Sequence, residues 1–411
     1  MRKCVLITTG LVLLLCLVAP PTSAVREPNR SLQGPDYVVN STADPGDGTC
    51  DTPECTLREA ITAANLDADI SNIAFNIPAS DGGYNSSTGV WTIYLTSALP
   101  PLLQDGTGVM GSTQTGNRGD KNPYGPEIAV NGASSYDCFR LWSAYNTIEG
   151  LAIIQCTIGV ILGGGYNTII ANYIGLNAQG TAASGNTQSG ILITSSDNTI
   201  GGGTADARNV VSGNDWTGVR VYGAGAGCNV ISGNYIGTDS SGRVDVGNLG
   251  DGVTISDGAQ ENQIGPDNII AYNAYKGGAG VRISGSATIS NTITQNSIHS
   301  NLGKGIWLQD LANGNLAAPY DVVGLCLGGG AYSGPLLQWE AFSDFDGQGR
   351  FFESTGGTDT GSFSFSPAGD LFRYPYVTLT VTDEGGNTSE FSDPESSGCL
   401  FGYLPLCMKA Y

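Results

Sequence analysis

The sequence is short of charge and of helix-forming residues. Of 411 residues only 13% are charged, one is histidine, and 61 are glycine. Long surface helices draw on Lys, Glu and Arg, and glycine weakens them, so a dominant helical bundle is excluded. Glycine suits closely spaced turns, and a turn-rich β protein is expected. Positive charge is scarcer still, with 17 Lys and Arg against 37 Asp and Glu, a net −20. Holding DNA or RNA needs a basic surface that releases phosphate counterions, so nucleic acid is excluded as a partner, and anionic membrane surfaces with it.

Several catalytic kits are missing too. His299 is the lone histidine and no Cys-x-x-Cys occurs, so a zinc site lacks ligands. Ser or Cys nucleophiles lack a histidine base, no Gly-x-Ser-x-Gly exists, and the glycine runs do not follow phosphate-loop spacing. His299 sits in NSIHSN and is expected at a turn corner on the surface.

Long apolar runs are absent except at the start. Arg2 and Lys3 precede an apolar stretch from Val5 to Val18, followed by Pro20-Pro21 and Thr22-Ser23-Ala24. This reads as a secretory signal over residues 1–24; the run is short of the roughly 18–20 residues a membrane span needs. Cys16 follows Leu13-Leu14-Leu15, where a lipobox would carry a small residue before the cysteine. Cleavage would leave 15 basic against 37 acidic side chains, or −22, on a protein expected outside the cell or at its surface. Thiols oxidise there. Cys50 with Cys55, and Cys399 with Cys407, are close enough in sequence for local disulfides, whereas Cys138, Cys156, Cys228 and Cys326 cannot be paired from sequence.

After a linker over 25–36 the chain becomes repetitive. A tetrapeptide of small, apolar, variable and apolar residues recurs as CFRL at 138, GVIL at 159, GILI at 190, GVRV at 218, GVTI at 252, GVRI at 280 and GIWL at 305. The spacings are 21, 31, 28, 34, 28 and 25 residues, a solenoid period. An Asn-x-Ile series starts at Asn146, Asn167, Asn198, Asn229, Asn262 and Asn291, and a further series at Asn172, Asn209, Asn234, Asn268 and Asn296. Each period therefore carries three short strands, which cannot bury a face alone but can when stacked. Coiling puts Val219 and Val221 inside and Arg220 outside, with each strand parallel to its equivalent one turn on. The expected fold is an all-β parallel β-helix over 79–330, its corner asparagines forming internal ladders. IGLNAQGTAASGNTQSGILI from Ile174 aligns without gaps to IGTDSSGRVDVGNLGDGVTI from Ile236, an excursion from the coil where Asp239 and Asp245 suggest calcium although the first copy carries Asn177.

A β-helix must cover its end edges. Thr56-Leu57-Arg58-Glu59 is a capping box, with Leu57, Ala60, Ile61 and Ala64 on one face of a helix over about 57–65. The stretch TCDTPECTLREAITAANLDADISNIAFNIP, Thr49 to Pro78, resembles the CSLREA domain of bacterial secreted proteins, with CTLREA for CSLREA. TIYLTSALPPL, GSTQTG, the Asn-x-Ile repeats and TDEGGNTSEFS near Asp383 are similar to the right-handed β-helix proteins carrying that domain, so the likeness covers most of residues 37 to 393. It implies an N-terminal cap over 37–78 and a right-handed, pectin-lyase-like coil shared with lyases, polygalacturonases, epimerases and adhesins; it assigns no reaction. Arg58 and Glu59 are read as helix-start residues. RFFES, SFSFS and YVTLTVTD suggest a small, immunoglobulin-like β-sandwich over 335–396, and the tail 397–411 is a sorting or anchoring segment or docks on that sandwich.

The third tetrapeptide position faces outward, so stacking makes a column of Arg140, Ile161, Leu192, Arg220, Thr254, Arg282 and Trp307. Guanidinium pairs bidentately with carboxylate and indole stacks on a pyranose, which makes Arg140, Arg220, Arg282 and Trp307 candidate binders of acidic sugars. β-Elimination would need a base and a cation; Arg220 or Arg282 are the base candidates by resemblance to lyases, with Asp251, Asp257 and Asp310 as calcium ligands. The opposing reading makes the arginines solvated charges or salt-bridge partners. The polygalacturonase pattern is missing, since no Asn-Thr-Asp, Asp-Asp or Gly-His-Gly occurs. Two functions are expected from this: a monomeric exported scaffold binding polysaccharide or cell-surface glycan, or a polysaccharide lyase, epimerase or hydrolase acting on uronate polymers.

Overall fold

The computed structural model describes residues 37–273, 277–323, 328–332, 338–357, 361–365, 373–374 and 376–396. The expected leader, linker and C-terminal tail, together with Cys326, Cys399 and Cys407, lie outside the described residues.

Alternation of apolar and polar residues in strands of two to five residues builds three parallel sheets. The seven tetrapeptides form the first, from Phe139–Leu141 to Ile306–Gln309, each strand pairing in parallel with its equivalent in the next turn. Val219 thus lies between Ile191 and Val253. The Asn-x-Ile strands make a second sheet of nine, from Tyr37–Val39 to Thr292–Ile293. A third sheet of nine runs from Ser297–His299 back to Val90–Tyr94, where Tyr84–Asn85 adds an antiparallel edge. The fold is a parallel β-helix, and one layer of it is called a rung below. Val219, Val221, Ile231, Ile236, Ile255 and Ile264 point inward and are fully buried. At about 1.5–3 kcal/mol per aliphatic side chain, this stack supplies the main drive for coiling.

The corners are held by asparagine ladders, three among the described residues. In the first, Nδ2 of Asn146 donates to Oδ1 of Asn167 (2.9 Å), and the series climbs to Asn291, whose N–H donates to Asn313 Oδ1 (3.0 Å). The second climbs from Asn172 to Asn296. The third runs through Asn186, Asn214, Asn248, Asn273 and Asn301, at the entry to the first sheet. Each amide also satisfies corner carbonyls that a dry interior would otherwise strand.

At the N-terminal end a helix, α1 (Leu57–Leu66), caps the coil. Thr56 Oγ1 accepts from Glu59 N–H (3.3 Å) and Glu59 Oε2 accepts from Thr56 N–H (2.8 Å), while Leu57, Ala60, Ile61 and Ala64 are buried. Burial works against ionisation of Glu59, but the N–H groups of Thr56 and Gly48 outweigh it and hold the carboxyl below its usual range. Arg58 is paired with Asp44 at 2.6 Å. Cys50 and Cys55 form a disulfide just ahead of the helix, and a second disulfide joins Cys138 to Cys156.

At the other end small antiparallel sheets take over. Gln338–Asp344 pairs with Phe351–Gly356 and with Tyr376–Thr382, and Gly328–Tyr332 lies between Tyr320–Val323 and Gly361–Phe365. This part continues the coil's own bonding pattern. Gln348 takes the next place in the third ladder, its Oε1 accepting from Asn301 Nδ2 (3.1 Å), and Ile298 N–H donates to Gly349 O (3.1 Å). His299 is therefore not at the surface, contrary to expectation: the antiparallel part covers the last rung and leaves it 5% exposed. No helix among the described residues is long and apolar enough to cross a membrane.

Candidate functional site

The register of the first sheet puts the expected column in place. Arg140 lies opposite Ile161, then Leu192, Arg220, Thr254, Arg282 and Trp307 follow, one per rung. Period-2 alternation creates a second outward column two residues further on, where Tyr222 lies opposite Ser256 and Ser284 opposite Gln309. Trp142 occupies the same position at the N-terminal rung, its indole lying over Gly163, where any Cβ would collide with the ring. Trp142, Trp216 and Tyr222 are 47%, 45% and 38% exposed.

The three arginines differ in what engages them. Arg282 is a salt-bridge partner: Nε and Nη2 donate to Asp251 at 2.7 and 2.8 Å, Nη1 donates to Gln309 Oε1 at 3.0 Å, and the guanidinium lies 4.3 Å from the Trp307 ring centre. Arg140 donates from Nη2 to Leu99 O (2.6 Å), and its Nε is buried without a partner. Arg220 makes no ion pair among the described residues. Its guanidinium lies 4.8 Å from the Trp216 ring and 4.3 Å from Tyr222, an aromatic cage around a half-buried cation.

Two aromatic faces flank the guanidinium of Arg220, whereas Asp251 and Gln309 occupy that of Arg282. Between them Thr254 donates to Asp251 (2.9 Å), which also accepts from Ala279 N–H (2.7 Å). Asp251 is 7% exposed and saturated with protein donors.

The three aspartates considered as calcium ligands are not brought together. Asp257 and Asp310 each follow a strand at a corner with positive φ (58° and 54°), where the matching rungs carry Gly223 and Gly285. Aspartate is among the few side chains that accept this backbone, so its place there is a turn requirement. Two strand spacings, about 10 Å, separate the two corners, too far for a shared ion. In the excursion loops Asp239, the other calcium candidate beside Asp245, is engaged by the loop's own backbone. Asp239 Oδ1 accepts from the N–H groups of Arg243 and Val244 (both 3.1 Å), as Asn177 Oδ1 does from Thr181 and Ala182 in the first copy. Burial opposes ionisation of Asp239, yet the Ser241 hydroxyl and these amides hold its pKa down. The carboxylate folds the loop, and Ser240 N–H donates to Gly180 O (2.9 Å) to stack one copy on the other. Among the described residues, the one group of three acidic ligands within 4.8 Å is Asp47, Glu54 and Glu59, where Glu59 is already committed to the cap of α1.

Sequence reasoning missed Trp142, Trp216, Tyr222 and Gln309. The two-residue alternation would have found Trp142, Tyr222 and Gln309, but Trp216 lies in the turn before its strand, outside any repeat position. No family model matches the chain, and no curated protein matches it.

Proposed function

We propose that this is an exported protein of the CSLREA-domain type, a β-helical scaffold that binds acidic polysaccharide on its first sheet. The leader pattern, the CTLREA capping box and the two disulfides support export and the family. The observation that carries the binding reading is Arg220, a cation without a carboxylate partner among the described residues, held between two half-exposed aromatic rings on a regular parallel face. Indole and phenol rings supply stacking surface for pyranose rings, and the guanidinium supplies charge for a uronate carboxylate. Arg282 and Trp307, stacked together two and three rungs on, extend the same surface without supplying a second uncommitted charge.

The alternative, a lyase, epimerase or hydrolase acting on uronate polymers, needs a proton acceptor poised above the sheet. Asp251, the carboxylate bound to Arg282, is occupied by four donors. Binding without turnover fits this chemistry better. The test is retention of the protein on immobilised polygalacturonate at low salt, alongside incubation with a panel of uronate polymers and calcium followed by ultraviolet absorbance. Retention that falls with salt and is lost in Arg220→Ala, with no unsaturated product, is expected. Unchanged retention of Arg220→Ala would reject the site; accumulating product would replace binding by lyase action.

A further inference from the structure

A groove of about 430 Å³ runs along the third sheet to the point where the antiparallel part meets it. Its walls include Arg208, Tyr235, Asp267, Gln295, Arg350 and Phe352. The size falls within the roughly 300–1,000 Å³ of small-molecule clefts. It lies on a different sheet from the arginine column and shares no residue with that face.

The coil fixes the arginines at its two ends. Arg208 precedes the rung of Asn209 and leans one rung on, its guanidinium 4.1 Å from the Tyr235 ring centre and its Nε donating to Gly233 O (3.1 Å). Tyr235 pairs with Ile269, Ile269 with Ser297, and Ser297 Oγ donates to the carbonyl of Arg350. From Tyr235 to Arg350 is therefore three strand spacings, about 14 Å. Neither guanidinium is in an ion pair among the described residues. Stacking and the Nε bond immobilise Arg208 while leaving its terminal amino groups to face a ligand, which reduces the ordering cost of binding.

Between the two cations stand acceptors and amides: Asp267 and Gln295, both exposed, on successive corners. A bare anion would be repelled by Asp267, and an acidic peptide brings few donors for it. A ligand with carboxylates near both ends and hydroxyls between them satisfies every group. We propose that this groove binds an acidic oligosaccharide of about three residues, with its carboxylates on Arg208 and Arg350 and its hydroxyls on Asp267 and Gln295.

The test is calorimetric titration of the full chain with trigalacturonate, with maltotriose and triglutamate as comparisons and thermal melting to confirm that each variant folds. Wild type should bind trigalacturonate alone, with affinity that falls as salt rises. Arg208→Gln and Arg350→Gln should each weaken it at least tenfold, whereas Arg243→Gln, at an exposed arginine of the excursion loop, leaves it unchanged. Absence of binding, equal binding of triglutamate, or a loss no greater in Arg208→Gln and Arg350→Gln than in Arg243→Gln would overturn the assignment. In that last case a loss in Arg220→Ala would assign the ligand to the first sheet and leave that reading standing.

Discussion

Two arginines in one column, separated by a single rung, have opposite consequences when removed. Arg220 lies against two aromatic faces and makes no ion pair among the described residues, so Arg220→Ala should change stability by less than about 1 kcal/mol. Arg282→Ala strands Asp251, which is 7% exposed and keeps only Thr254 and Ala279 as donors. A loss of about 2–4 kcal/mol is expected, because removing one partner of a largely buried pair leaves an uncompensated charge. Urea denaturation of the two variants measures the contrast; equal midpoints would mean that Asp251 is fully satisfied without Arg282. The column itself was legible, since the third residue of GVRV and GVRI must face away from the two inward valines and isoleucines. What engages each arginine was not. Asp251 lies 31 residues from Arg282, in the turn before the preceding rung, and one-dimensional spacing does not say which turn residue leans over which strand.

The ladders carry the same logic to the level of the element. Asn234 donates to Ile200 O, Ser232 O and Asn268 Oδ1, and accepts from the main-chain N–H and side-chain amide of Asn209. Asn234→Leu would leave these groups unpaired in a dry corner, at about 1–3 kcal/mol for each stranded group, so a loss of roughly 3–5 kcal/mol is expected. Asn177→Ala, in an exposed excursion loop, should cost about 1 kcal/mol or less by the same denaturation measurement. Similar losses at both positions would show that the ladder is not the main corner support. Two ladders were readable because each asparagine opens an Asn-x-Ile or similar strand. The third precedes the tetrapeptide glycine by four residues at Asn186, Asn214, Asn248 and Asn301 and by seven at Asn273, but these asparagines sit in turns and open no strand, so no apolar alternation marks them. Its last place is taken by Gln348, 47 residues from Asn301 and in the turn between Gln338–Asp344 and Phe351–Gly356, where no repeat pattern reaches.

At the scale of the whole molecule, the joint between coil and antiparallel part holds two buried titratable groups of opposite sign. Burial pushes the His299 imidazole down to about 4, aided by the charge of Arg350 and opposed by Asp346. Burial pushes Glu340 up to about 7, against hydrogen bonds from the Thr294 hydroxyl and Gln295 N–H. Between about pH 4.5 and 6.5 the unfolded chain binds a proton at histidine that the folded one refuses, so this group makes stability rise with pH. Over about pH 4.5 to 7 the folded chain keeps a proton on Glu340 that the unfolded one releases, so stability falls with pH. Each slope amounts to something on the order of 3 kcal/mol across its window, and the two cancel where they overlap. Asp344, raised by burial, adds to the downward slope. Single substitutions should therefore uncover what the pair conceals. Glu340→Gln should gain stability from pH 4.5 to 6.5, and His299→Gln should lose it from pH 4.5 to 7. Urea midpoints measured across that range check both signs. If Glu340→Gln followed the wild-type profile, the carboxyl would have to be ionised within the joint, with water reaching a residue that the fold leaves 3% exposed.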